Sequence, residues 1–322
     1  MANQTRPISV SSSQAKGYES SDAPTSVMDR RDGASVKHAN SATDDDAFKD
    51  APELVIRPRK GWIAVDWKEL LHYRELLFFL VWRDVKVRYK QTVFGVAWAI
   101  LPPVFTMLVF SMIFSNVPAL NPANVPYAIY SYAALLPFNF FSMGVSQAGQ
   151  SLISQQQLLT KVYFPRLFVP LANVGSGLID LSVSFCVFAV IMAICKTVPS
   201  WQIVFLPAFV FATALATAGL GLSLASLTVS YRDFRYVLPF MERAFLVISP
   251  VIWPLESVTN PTSRILLSLN PMTGIIDAFR SCIYGKPWNA DSVAISCTMA
   301  VLLFLFGMFY FRRTERRFAD IA

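Results

Sequence analysis

Between Val93 and Phe114 the chain reads VFGVAWAILPPVFTMLVFSMIF, twenty-two residues without a charged side chain. As an α-helix rising about 1.5 Å per residue this run extends roughly 33 Å, enough to cross a bilayer core of about 30 Å. A fold that keeps such a segment out of water is a membrane fold. The basic stretch WRDVKVRYK, ending at Lys90, stands directly in front of it. Lys and Arg close to a spanning helix are retained on the cytoplasmic side, so the N-terminal flank is expected there.

Composition agrees. Hydrophobic residues make up 54% of the chain and charged residues 15%, where soluble domains are about a quarter charged. The net charge of +7 could indicate nucleic acid. The basic residues gather beside hydrophobic runs, however, so membrane topology explains them and no nucleic-acid partner is expected. Cys186, Cys195, Cys282 and Cys297 form no CxxC pair and read as small buried hydrophobes, while His38 and His72 cannot supply a metal cluster. Residues 1–60 are rich in Ser, Asp, Ala and Asn and are expected to form a disordered cytoplasmic tail. That segment has no apolar core of the kind a cleavable signal peptide needs.

Hydropathy and its interruptions predict an all-α, multi-pass protein with six spans, at about 93–115, 127–149, 167–195, 201–229, 237–255 and 292–311. The connections that this arrangement puts on one side, together with both flanks from Arg57 onward, hold seventeen Lys and Arg; those on the other side hold four. Both termini are therefore expected in the cytoplasm. Two hydrophobic segments do not fit as spans. From Trp67 to Lys90 charges surround a seven-residue apolar core, Leu76 to Trp82, that reaches only about 10 Å as a helix; an interfacial helix on the cytoplasmic leaflet fits it. From Ile265 to Tyr284 the chain contains Asn270-Pro271 and Gly274, and carries Asp277 and Arg280 three apart. A seventh span there would put the Arg312 to Arg317 cluster outside, so a short re-entrant or surface hairpin on the external side is expected. Thr213, Thr217, Gly221 and Ala225, every fourth residue of the fourth span, form a small-residue stripe for close helix contact, within the chain or between copies.

The sequence contains no GxxxxGK[ST] phosphate loop, no GxSxG and no HExxH. That leaves a transporter subunit, a channel or a membrane enzyme. Active transport would need energy from elsewhere.

Six strings in order carry a resemblance: ELLFFLVWRDVKVRYKQTVFGVAWAILPP (75–103), LLTKVYFPRLFVPL (158–171), VSYRDFRYVLPF (229–240), SPVIWPL (249–255), LNPMTGIIDAFR (269–280) and FRRTERRFADIA (311–322). From about residue 66 onward the chain resembles the permease subunit of ABC exporters for polysaccharide or polyol phosphate, of the O-antigen, capsule or teichoic acid type. That resemblance implies a homodimer of six-span subunits in the bacterial inner membrane. It also implies two copies of a separate ATPase, which binds ATP and Mg, and a lipid-linked polysaccharide as substrate, with no cofactor in this chain. A cytoplasmic interface helix (Trp82, Arg83, Asp84, Lys86, Arg88), an ATPase-coupling segment between spans two and three (Gln157, Leu158, Leu159, Thr160, Lys161, Tyr163, Phe164, Arg166) and external gate helices (Asn270, Asp277, Arg280) are implied as well. These coincide with the segments that composition set apart.

A glycan path favours aromatic platforms, since sugar rings expose apolar C–H faces. Trp98, Phe105, Tyr127, Tyr130, Tyr132, Phe138, Phe140 and Phe141 in spans one and two are candidates, against roles in packing or lipid contact. Asp180 lies midway along span three, where a charge needs a partner. It either faces the water-filled path or makes a polar contact between helices. Glu242 and Arg243 either line the path or lie in the headgroup layer. The expected activity is outward movement of a lipid-linked polysaccharide, powered by the partner ATPase. The rivals are an ABC permease for drugs or small lipids, and a membrane glycosyltransferase.

Overall fold

The computed structural model describes residues 73–90, 97–117, 120, 126–156, 164–231 and 233–315. Among these residues there are nine α-helices and no β-strand. They are α1 (Arg74–Lys90), α2 (Ala97–Phe114), α3 (Tyr127–Ser154), α4 (Phe168–Ile194), α5 (Leu206–Ser230, entered through the 3-10 turn Trp201–Phe205), α6 (Phe234–Ile248), α7 (Pro261–Ser268), α8 (Pro271–Tyr284) and α9 (Ala290–Glu315). Four of them, α3, α4, α5 with its entry turn, and α9, are long and apolar enough to cross a membrane; α2 is a shorter apolar helix.

Helix α3 is the hub, packed against α2, α4, α5, α6 and α8. Its own composition explains that position: Gly144, Ala148 and Gly149 keep one face thin, and the small-residue stripe of α5 fits against it. A Cβ on Gly144 would stand 2.5 Å from Thr217 Cγ2, and one on Gly221 2.7 Å from the Cβ of Ala148. The stripe read from the sequence is thus a contact within one chain. On another face α5 meets α9 backbone to backbone. A Cβ on Gly307 would lie 2.1 Å from the carbonyl oxygen of Gly219, so any side chain there would force the two helices apart.

The predicted fifth span, 237–255, stops early. Helix α6 ends at Ile248 after 15 residues, about 22 Å of helix, and Ser249 is already extended (ψ 146°) because Pro250 follows it. The apolar string SPVIWPL keeps hydropathy high through a segment whose backbone turns. The segment expected as a short re-entrant or surface hairpin forms two helices, α7 and α8. Helix α8 is buried from Pro271 to Ile283, enclosed by α3, α5, α7 and α9. Its polar backbone ends are met inside the protein. Asn270 caps the helix by accepting from the Met272 N–H (3.1 Å), and the Gly274 N–H donates to Ser296 Oγ (2.9 Å). Gly285, in the left-handed region (φ 71°), closes the C-terminal end.

Candidate functional site

Helix α1 packs along α4. At one point Arg83 Nη2 donates to Gln155 Oε1 at the end of α3 (2.6 Å). Five residues on, Arg88 Nη2 donates to Gln147 Oε1, two helical turns further up α3 (2.6 Å). On its other neighbour, α4, Val81 packs over Gly175, where a Cβ would come within 2.7 Å of Val81 Cγ2. Arg88 Nη1 then pairs with Asp180 Oδ2, and the Tyr89 hydroxyl donates to Asp180 Oδ1. A carboxylate in mid-helix costs about 2.5 to 3.5 kcal/mol on insertion scales, and here both its oxygens are engaged. Helix α1, expected as an interfacial helix, packs on α4 and reaches α3 through two of its cations, Arg83 and Arg88.

Below this junction the same helix seals a second hydrophobic cluster. Leu80 of α1, Leu152 of α3, Phe164, Leu167 and Phe168 at the entry to α4, Leu222 and Ala225 of α5 and Phe311 of α9 are all buried together. Of the predicted coupling segment, Gln157, Leu158, Leu159, Thr160, Lys161 and Tyr163 lie outside the described residues; Phe164 and Arg166 do not. Phe164 is a member of the cluster, and Glu315 at the end of α9 pairs with Arg312 (3.4 Å). So Phe164, near the segment's far end, is packed with α1 and α9, and Gln155, two residues before its near end, bonds to α1. The other face of α1 is open: Phe78, Phe79, Trp82 and Val87 are exposed hydrophobics, with Lys86 exposed among them. Asp84 takes the remaining hydrogen bonds of Arg83 (2.7 and 3.1 Å).

At the opposite end of the bundle Arg280 of α8 is buried to 4% exposure without a carboxylate. Its guanidinium donates to the carbonyls of Pro250 (2.7 Å), Val251 (2.6 Å), Trp253 (3.3 Å) and Tyr130 (3.4 Å), and lies 3.7 Å over the Tyr130 ring. It therefore fixes the turn after α6 against α3. Asp277, three residues before it, pairs instead with Asn289 Nδ2 (2.8 Å), and burial raises its carboxyl above the usual carboxylate range. Asn270 Nδ2 reaches Ser249 Oγ (2.9 Å), a second tie to the same turn.

The aromatic candidates divide. Tyr132 (0% exposed), Phe141, Tyr130 and Phe138 sit in the core of the chain. Tyr132 stacks on Phe188 of α4, Phe141 meets Phe245 of α6 edge-on, and Tyr130 stacks on Tyr284 of α8. Tyr127 and Phe140 are buried likewise. Phe105 of α2, 68% exposed, is open to a ligand or to lipid; the Trp98 side chain lies outside the described residues. Glu242 lines a shallow cleft between α3 and α6 with Phe141, Ser142 and Ser146, and Arg243 is exposed. Among the described residues no group of three or more His, Cys, Asp or Glu could hold a metal ion.

Sequence reasoning missed Tyr89, Gln147, Gln155 and Ser176 as partners of the charges it singled out. Ser176 and Asp180 are four apart on α4 and share a face, which was the one local sign of the arrangement.

The sequence is similar to those of known transport proteins. The chain is 29% identical over 251 residues to the O-antigen export system permease protein RfbA of Myxococcus xanthus, covering 77% of this chain and 96% of that one. A Klebsiella pneumoniae protein of the same name is 24% identical over 251 residues, 77% of this chain and 95% of that one. The polysialic acid transport protein KpsM of Escherichia coli is 21% identical over 245 residues, 72% and 91%. The model of the ABC-2 type transporter family matches residues 75–284, from the first turn of α1 to the end of α8. The chain is a multi-pass membrane protein that belongs to the ABC-2 type transporter family.

Proposed function

We propose that this protein is the membrane permease of an ATP-driven exporter that moves a lipid-linked polysaccharide outward across the inner membrane. The observation that carries it is the near full-length match to relatives named for O-antigen export and polysialic acid transport. Two copies pair with two copies of a separate ATPase, which binds ATP and Mg. Helices α2 and α6 are shorter than the other spans and complete a set of six, with both termini cytoplasmic. Their exposed apolar faces, Leu101, Phe105, Leu108 and Met112 on α2 and Val237, Phe240 and Val247 on α6, are where a second copy or the polymer would lie. The polymer path follows α2, with Trp98 and Phe105 along it, because the aromatics of α3 are taken up in packing. The open face of α1 and the segment from Gln157 to Arg166 meet the ATPase, and α7 with α8 gates the external side around Asn270, Asp277 and Arg280.

Deletion of the gene should abolish surface polysaccharide and leave lipid-linked polymer inside the cell, seen by gel and antibody on intact and lysed cells. Normal surface glycan with new sensitivity to small hydrophobic drugs would favour the drug or small-lipid permease instead.

A further inference from the structure

We propose that Arg88 and Asp180 are a pair of positioning residues that key α1 into the bundle, so that motion received at its exposed face is delivered to α3 and α4 as one body. This rests on the assignment of α1 to the ATPase contact under Proposed function. Four observations on different atoms converge. Asp180 lies twelve residues into α4, about 18 Å along that helix from Phe168, so the part-buried pair sits midway along α4 and not at its end. A single guanidinium ties three helices: Nη1 to Asp180 of α4, and Nη2 to Gln147 of α3 (2.6 Å) and Ser176 of α4 (3.4 Å). The second carboxylate oxygen accepts from the Tyr89 hydroxyl, so both oxygens of Asp180 are engaged by α1. Arg83 on Gln155 and Val81 over Gly175 supply two further keys along the same helix, so α1 can neither slide nor roll alone.

An ion pair is suited to this role because its charges can be exchanged while its length is kept. That makes it separable from a merely structural contact. The transporter, permease with its ATPase, would be reconstituted with lipid-linked polymer, and ATP hydrolysis and export measured together in Asp180→Asn, in Arg88→Gln and in the exchanged pair Arg88→Asp with Asp180→Arg. Exposed Arg313→Gln serves as the control. Each single variant is expected to hydrolyse ATP within about twofold of the unaltered complex while exporting about tenfold less polymer per ATP, and the exchanged pair to regain most of that loss. Unchanged export per ATP in Asp180→Asn, or an exchanged pair no better than either single variant, overturns the proposal. So does a change in which polymer is exported at normal cost in ATP, the mark of a residue in the substrate path. If the single variants do not accumulate in the membrane, the exchanged pair decides alone: coupled export supports the lock, and export no better than background overturns it. If the unaltered complex exports no glycan, the functional reading fails. The lock is then judged on heat stability of the purified chain, where the two single losses must not add; simple additivity overturns it.

Discussion

Two arginines hold the two ends of this molecule in opposite ways. Arg88, at the junction of α1, α3 and α4, answers a carboxylate, an amide and a hydroxyl, all of them side chains. Arg280, at the turn after α6, answers four backbone carbonyls and the face of a tyrosine. Side-chain partners can let go and re-form with a neighbour; carbonyls fixed in a turn cannot. The difference marks the first as a junction keyed by side chains that can be exchanged in pairs, and the second as a turn held through its backbone, where no partner can be exchanged.

The largest expected effect tests the rigid end. Arg280→Ala takes the guanidinium donor from four backbone carbonyls and removes a stacked cation, and should cost about 3–5 kcal/mol, seen as loss of folded permease on heating in detergent. Arg280→Lys should recover less than half, because one ammonium cannot span the fork of acceptors. Full recovery by Lys would mean that charge alone matters there, and would erase the contrast with Arg88.

At the Arg88 junction Asp180→Asn should cost less, about 1–3 kcal/mol, since Arg88 keeps Gln147 and Ser176. A loss equal to that of Arg280→Ala would show the two ends to be equally rigid. Packing beside the pair offers a milder probe. Gly175→Leu drives a side chain into Val81 and should destabilise by about 1–3 kcal/mol, and Val81→Ala in the same chain should restore part of it. Failure of the second change to help would place the strain elsewhere than between α1 and α4.

The smallest effect is one of pH. Burial raises the Asp277 carboxyl, opposed by Asn289 and Arg280, so folding favours its protonated form. That contribution is complete below the ordinary carboxylate range and is lost as pH rises through the raised value. Asp277→Asn should therefore match the unaltered chain in acid and equal or slightly exceed it at neutral pH. An Asn variant that is weaker only at neutral pH would mean the charge is stabilising, held by Arg280 as a partner.

Hydropathy made α2, α3, α4, α5 and α9 legible, since an uncharged run of bilayer length has few other folds. What it could not see were groups satisfied at long range. Arg280 and Asp277 look like surface residues until Val251 and Asn289 are beside them. Likewise Asp180 needs a partner 92 positions earlier in the chain. Tyr132 and Phe141 carry the same residue types a sugar platform would need, and nothing local tells an aromatic that stacks on its own chain from one that faces a ligand. The end of α6 was hidden for another reason: Pro250 and Pro254 turn the backbone while Val251, Ile252 and Trp253 keep it apolar.

The central claim is that this chain gives a polysaccharide its passage and takes its energy from a partner. It is tested most directly by placing purified permease in vesicles with and without a separate ATPase subunit from the same organism, with lipid-linked polymer in the inner leaflet and a membrane-impermeant antibody outside. Polymer should become accessible to the antibody only when both proteins and ATP are present. Appearance of polymer with the permease and ATP alone, or hydrolysis of ATP by this chain without the second protein, would contradict it.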